Sequence, residues 1–230
     1  MKRYVFIPIK GHSERVPRKN FREFCGNPLY IHTLKKYDGL DVELWVDTDN
    51  DEIAQEINNR KAKGEFKNIF VKKRKNDLCG DSVPVNSLIN DFIFTNVEDY
   101  NTWITQIHVT HPFLTASTVL KAIDSVLSYG DKYDSVASVN KLQTRLWREE
   151  KYGFCPVNHN PMKLEKTQDL PVFYEENSCF YIFNTYHFMN RNCGRRVGIA
   201  PMFVETNFPE NLDIDTEEDM KRCLELSKIL

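Results

Sequence analysis

The 230 residues suffice for one sizeable core, and 41% hydrophobic with 28% charged residues is the balance of an ordinary globular chain. A formal net charge of -2 excludes a general nucleic-acid coat and charge-driven attachment to anionic lipid, while leaving room for a local basic pocket. The opening apolar run, Tyr4 to Ile9, is too short for a signal-peptide core or a membrane span, and every later apolar run is broken by charges.

Cysteines at positions 25, 79, 155, 179, 193 and 223 form no C-x-x-C pair. This argues against a zinc site or disulfide framework, and for reduced thiols in a cytoplasmic protein. Over the first 140 residues, apolar β-rich runs alternate with amphipathic stretches. Tyr4 to Ile9 reads as a buried strand, and Asn27 to Leu34 opens a helix with Pro28 early, where its missing N–H costs little. Val42–Val46 is a strand, Asp49–Lys63 a helix with acidic residues in its first turn, Ile69–Val71 a strand and Pro84–Phe94 a helix. Trp103–Val109, the helix Ala116–Leu127 and the strand Ser135–Val139 complete the alternation.

Strands and helices in this order predict an α/β domain with a mainly parallel, doubly wound sheet. Ligands of such sheets sit beyond the carboxyl ends of the strands, so the loops after Ile9, Val71 and Val109 are the ones to inspect. From Asn140 to Tyr174 the pattern breaks into a polar stretch with prolines at 156, 161 and 171. A structureless loop of that length is unusual, and a protruding arm or small subdomain packing on a second copy of the chain is the better reading. The main domain then spans residues 1–139 and 178–230, with 140–177 inserted. Regular structure resumes at Cys179–Phe183 and ends in a helix from Glu217 to Leu230.

The loop after the first strand, Lys10-Gly11-His12-Ser13-Glu14-Arg15-Val16-Pro17-Arg18-Lys19-Asn20, combines a glycine, cations and short polar donors. That is what a triphosphate needs, although a solvated basic loop has the same composition. It is neither a Walker A loop nor a dinucleotide fingerprint. Near the other end, Asp213 and Asp215 alternate, so on an extended segment two carboxylates point to one side, as a magnesium ion with its oxygen ligands requires. Thr216 before Glu217-Glu218-Asp219 also reads as a helix N-cap.

Five blocks in the same order give the chain a resemblance to the CMP-N-acylneuraminate (sialic acid) synthetase, or cytidylyltransferase, family. The first loop is similar to that family's I-P-A-R-G-G-S-K-x-I-P-x-K-N, with Gly11, Ser13, Pro17, Lys19 and Asn20 on the pattern, Lys10 in place of arginine and His12 in place of glycine. Arg74 to Ser82 resembles R-P-x-x-L-x-G-D-T/S, and Gln106 to Thr115 resembles the strand-end block L-Q-P-T-S-P-L-R-T, with His108 on its glutamine, His111 on its serine and Leu114 on its arginine. Gln168 to Asn177 is similar to R-R-Q-D-L-P-x-x-Y-x-E-N, with Lys166 and Thr167 where the two arginines are usual, and Asp213 to Asp219 is similar to D-I-D-T-x-E-D.

The resemblance implies a fold like the nucleotide-diphospho-sugar transferases and a Mg2+-dependent enzyme. That enzyme joins CMP from CTP to an acidic, nonulosonic sugar and releases pyrophosphate. It implies Lys19, Asp213 and Asp215 as catalytic residues, both aspartates holding Mg2+. Lys10, Gly11, Ser13, Arg15, Lys19, Asn20, Arg74 and Ser82 fall to the nucleotide, and His108, His111, Lys166, Gln168 and Asn177 to the acidic substrate. Capping alone also explains Ser82, and a core histidine satisfied by backbone also explains His108. A homodimer joined through the 140–177 arm is implied as well. The alternatives are a phosphonate or Kdo-like acceptor, or a catalytically silent nucleotide-binding dimer.

Overall fold

The computed structural model describes residues 2–230. In chain order its elements are β1 (Tyr4–Ile9), the two-residue strands β2 (Glu23–Phe24) and β3 (Asn27–Pro28), α1 (Leu29–Lys35), β4 (Glu43–Thr48), α2 (Asp51–Ala62), β5 (Ile69–Lys73), α3 (Val85–Asn96), β6 (Trp103–Ile107) and α4 (Ala116–Ser128). There follow β7 (Ser135–Leu142), β8 (Trp147–Glu150), β9 (Gly153–Pro156), β10 (Phe173–Asn184), α5 (Thr185–Asn190), β11 (Pro201–Glu205) and α6 (Glu217–Leu226).

Seven strands form one sheet in the order β11-β7-β10-β6-β1-β4-β5. β1 pairs parallel with β4 and β6, β4 with β5, and β11 with β7, whereas β10 runs antiparallel to both β6 and β7. The expected mainly parallel α/β sheet is therefore present.

Alternation along β1 makes the sheet two-sided. Val5, Ile7 and Ile9 pack into a cluster with Leu29 and Leu34 of α1, Ile53 of α2, Val119 of α4 and Met220 of α6. Tyr4 and Phe6 face the opposite cluster, with Leu88 and Phe92 of α3 and Phe188 of α5. Helices thus cover both faces, which is the doubly wound arrangement.

Local chemistry fixes the helix starts. Asn50 caps α2 by accepting from Ile53 N, Thr115 caps α4 by accepting from Thr118 N, and Thr216 with Asp219 forms a capping box on α6. At α3 the N-cap residue is Pro84 with no side-chain cap, so the capping explanation of Ser82 does not apply.

The sheet reaches into the segment expected to stand apart. β7 continues to Leu142 and β10 begins at Phe173, so Phe173 pairs with Leu142 and Glu176 with Val139. The register then shifts between Glu176 and Tyr181, where Ser178 takes a left-handed φ of 60°. Between these strands β8 and β9 form a hairpin that pairs with no other strand among the described residues. No helix among the described residues is long and apolar enough to cross a membrane.

Candidate active site

Chain order reverses between β1 and β6: β4 and β5 continue the sheet on one side of β1, and β6 on the other. A crevice opens at such a switch point beyond the carboxyl ends of the strands. Here it is a cleft of about 410 Å³, floored by Pro8 at the end of β1 and by His108, Val109 and Thr110 after β6. The loop after β1 forms one wall through Lys10, Ser13, Arg15, Lys19 and Asn20, and Arg74 and Asp81 come from the segment after β5.

The loop owes its path to specific bonds. Gly11 N donates to Asp49 Oδ1 at 2.9 Å. A Cβ on Gly11 would lie 2.4 Å from Asn50 Nδ2, so only glycine lets the loop pass this close to the start of α2. Asn20 Nδ2 donates to Lys10 O at 2.8 Å and closes the loop upon itself. Val16 is fully buried and anchors its middle. Arg18, at a left-handed φ of 52°, turns the chain into the short 3-10 helix Lys19–Phe21.

Carboxylates neutralise the loop's cations. Lys10 Nζ donates to Asp81 Oδ1 at 3.0 Å and His12 Nε2 lies 3.1 Å from Asp81 Oδ2. The hydrogen bond from Lys10, then that from His12, holds the Asp81 carboxyl below its ordinary range. Arg15 Nη2 donates to Asp215 Oδ1 at 2.7 Å. Exposed pairs of this kind are screened by solvent and contribute little, so a polyanionic ligand can displace them.

Lys19 is better fixed: its Nζ donates to Ile214 O at 2.6 Å and lies 3.9 Å from Asp215 Oδ1. Burial lowers its pKa, and the charges of Asp215 and Asp213 act in the opposite direction. The start and end of the chain therefore meet at the mouth of the cleft, and Ile214 N donating to Thr110 O at 2.9 Å ties the aspartate segment to the turn after β6.

Behind the floor lies a polar relay. Arg196 Nη1 donates to Gln106 Oε1, which orients the Gln106 amide so that its Nε2 faces His108 Nε2 at 2.7 Å. An amide N–H only donates, so His108 accepts there and carries its proton on Nδ1. Burial pushes the His108 pKa down to about 3, aided by the neighbouring His111 and Arg196, and the ring is neutral at physiological pH.

His111 is buried, its Nε2 lies 3.2 Å from Asn177 O, and burial lowers its pKa. The Asn177 side chain donates to Asn140 Oδ1 and Thr206 Oγ1 at 2.8 and 2.6 Å. Asn177 thus knots the β10 bulge and presents its carbonyl to His111, rather than its amide to the cleft.

The expected nucleotide-side residues divide. Lys10, Ser13, Arg15, Lys19 and Asn20 line the cleft, Gly11 shapes its wall, and Ser82 is exposed and does not line it. Arg74 reaches the lining, but it is a buried structural cation. Its Nε donates to Asp47 Oδ1 at 2.6 Å and its Nη2 to Asp47 O at 3.1 Å, with Asp49 Oδ2 3.5 Å from Nη1. Of the expected substrate-side residues, only His108 lines the cleft of its own chain. Lys166 and Gln168 are exposed in the stretch between β9 and β10. Leu114, where the resembled family carries arginine, is buried in the core. Asp81 lies inside a motif yet goes unsuspected from sequence, and Arg196 carries no sequence signal, because it reaches Gln106, two residues before His108, from the segment between α5 and β11, 90 positions further along the chain.

This is the architecture of an α/β nucleotidyltransferase with a basic loop and an acidic pair at one switch point. Residues 4–229 match the cytidylyltransferase family, and the chain belongs to it. It is 25% identical over 236 residues to the pseudaminic acid cytidylyltransferases of two Campylobacter jejuni strains, covering 100% of this chain and 96% of each relative. Among solved structures, CMP:2-keto-3-deoxy-manno-octonic acid synthetase complexed with CTP superposes with a TM-score of 0.65 at 14% identity, covering 100% of both chains. A 4-diphosphocytidyl-2C-methyl-D-erythritol synthase gives 0.67 at 14% identity over 98% of this chain and 97% of that one. These two establish likeness of fold.

Proposed function

We propose that this cytidylyltransferase joins CMP from CTP to an acidic sugar of the nonulosonic class and releases pyrophosphate. The observation that carries this reading is the approach of Lys19 Nζ to within 3.9 Å of Asp215 Oδ1 beside the cleft, which lets one triphosphate touch both. The names of the C. jejuni relatives, pseudaminic acid cytidylyltransferases matched along the whole chain, support an acidic sugar as acceptor.

Lys10, Arg15 and Lys19 bind the triphosphate, and the N–H groups and hydroxyl of the loop orient it. As the acceptor hydroxyl gives up its proton to solvent and forms its bond to the α-phosphorus, the bond from that phosphorus to the oxygen bridging to the β-phosphate breaks and its electron pair leaves with pyrophosphate. Charge then accumulates on the departing pyrophosphate. Lys19, immobilised by Ile214 O, is preorganised to offset it, and such fixed cations supply much of the rate in phosphoryl chemistry.

Asp213 and Asp215 fit a magnesium ion. Asp215 is accessible, and Asp213 Oδ1 is a buried acceptor with no partner. When bound, such an ion polarises phosphate and hydroxyl oxygens.

A homodimer in the cytoplasm completes the proposal. Between β7 and β10, Tyr152, Met162 and Leu164 are each more than 90% exposed, and Phe154 and Trp147 more than half. Exposed apolar side chains in this number support a protein interface there. The direct test is pyrophosphate release from CTP, with and without Mg2+, against pseudaminic, legionaminic, sialic and Kdo-type acids. Release with one nonulosonic acid and CTP is the expected result, and release with no acid of the panel refutes the acceptor class.

A further inference from the structure

Two buried side-chain atoms beside the cleft, His111 Nδ1 and Asp213 Oδ1, have no hydrogen-bond partner. Their separation is 4.0 Å, beyond hydrogen-bond distance. The partner of His111 Nε2 is the carbonyl of Asn177, 3.2 Å away. A carbonyl only accepts, so Nε2 carries the proton and Nδ1 turns a lone pair toward a carboxylate oxygen. Two acceptors facing each other in a buried place are unfavourable unless something positive stands between them.

The surroundings hold this arrangement rather than relieve it. Asn177 is pinned by Asn140 and Thr206, which fixes the carbonyl and with it the imidazole. Ile214 N, bonded to Thr110 O, fixes the segment that carries Asp213. An imidazole that donates one N–H to a backbone carbonyl and presents its other nitrogen is in the posture of a metal-ligating histidine. Distances of about 2.0–2.2 Å from a divalent ion to nitrogen and to carboxylate oxygen let one ion reach both atoms across this gap.

We infer that His111 is itself a ligand, through Nδ1, of the divalent cation that Asp213 holds. The inference rests on the metal assignment of the proposed function and deepens it. A nitrogen donor joins an otherwise oxygen set, and this favours Mn2+ or Co2+ over Mg2+ and Ca2+ relative to an all-oxygen site.

Pulsed EPR on the full chain, with Mn2+ alone and with Mn2+ plus CTP, reads the ligand directly. The expected result is the nitrogen modulation of a coordinated imidazole. It should vanish in His111→Gln, which keeps a donor for Asn177 O but lacks Nδ1, and Mn2+ affinity should fall at least about tenfold. If His111→Gln does not fold, as checked by circular dichroism, the wild-type spectrum still decides. Bound Mn2+ with no nitrogen modulation, modulation unchanged in His111→Gln, or no Mn2+ binding at all each overturns the inference. Pyrophosphate release by the wild type is measured separately, so a failed histidine ligand is distinguishable from a failed functional reading.

Discussion

Lys19 Nζ and Asp215 Oδ1 stand 3.9 Å apart, and Lys19 also donates to the backbone of Ile214 between the two aspartates. The first loop and the last turn before α6 therefore form one electrostatic unit. Arg15 closes it from the exposed side by donating to the same Asp215 oxygen. From this unit, and from the bonds that build the cleft, the following outcomes are expected.

Gly11→Ala places a methyl 2.4 Å from Asn50 Nδ2 and 2.9 Å from Asn50 Cβ. The loop must move or α2 must lose its cap, at a cost of about 1–3 kcal/mol in stability. The KM for CTP should rise because the phosphate wall is displaced. Adding Asn50→Gly removes the clash and should recover part of the lost affinity. Steady-state kinetics with CTP varied check both.

Arg74→Met tests whether this side chain serves the nucleotide or the fold. Its head group is 1% exposed against a fully buried Asp47 carboxylate, which keeps only Lys72 at 3.3 Å after the change. Breaking such a pair costs about 3–5 kcal/mol. Chemical denaturation should record that loss, whereas Ser82→Ala should leave stability within about 0.5 kcal/mol.

The pH dependence of stability follows from His108. Burial lowers its pKa from 6.5 to about 3 in the folded chain, so the unfolded chain binds the proton more readily between these values. The stabilisation is complete above pH 6.5 and is lost as pH falls toward 3. His108→Gln, which still accepts from Gln106, should flatten the acid limb by up to about 1.4 kcal/mol per pH unit. Denaturation midpoints from pH 4 to 8 measure it.

The exposed apolar residues between β8 and β10 predict the oligomeric state. Met162→Glu with Leu164→Glu should convert a dimer to a monomer in light scattering, with the α/β domain still folded. A wild-type monomer would show that these side chains have another role.

Much of this was legible in the sequence, for identifiable reasons. β1 runs from Tyr4 to Ile9 as read, because an unbroken apolar run flanked by charges has one solution in a buried parallel strand. α4 begins at Ala116 as read, because Thr115 is a strong cap before a periodic apolar face. The sequence predicts only Cys179–Phe183 of β10, because its first residues, Phe173 to Ser178, lie on an exposed ladder with a bulge and show no alternation of hydrophobicity. β11 and α5 are short, and β11 lies at the sheet edge, so neither displays a period. The cationic loop and Asp213–Asp215 stand out in the sequence because charges suited to polyanions and cations are carried by few residue types. The resemblance assigns Arg74, Asn177 and His111 to ligands by position, whereas the fold gives Arg74 and Asn177 structural partners that no linear pattern names. Asp81 and Arg196 act on the site from segments joined only by the sheet.

The most direct measurement of the central claim, that Lys19 and Asp215 serve one triphosphate, is the behaviour of Asp215→Ala in two assays on the same protein. Without divalent metal, removing the carboxylate that Arg15 and Lys19 pair with should leave CTP binding as tight as in the wild type or tighter, by calorimetry. With Mg2+ and the acidic sugar, pyrophosphate release should fall by at least about a hundredfold. An Asp215→Ala protein that turns over CTP at the wild-type rate would contradict the account.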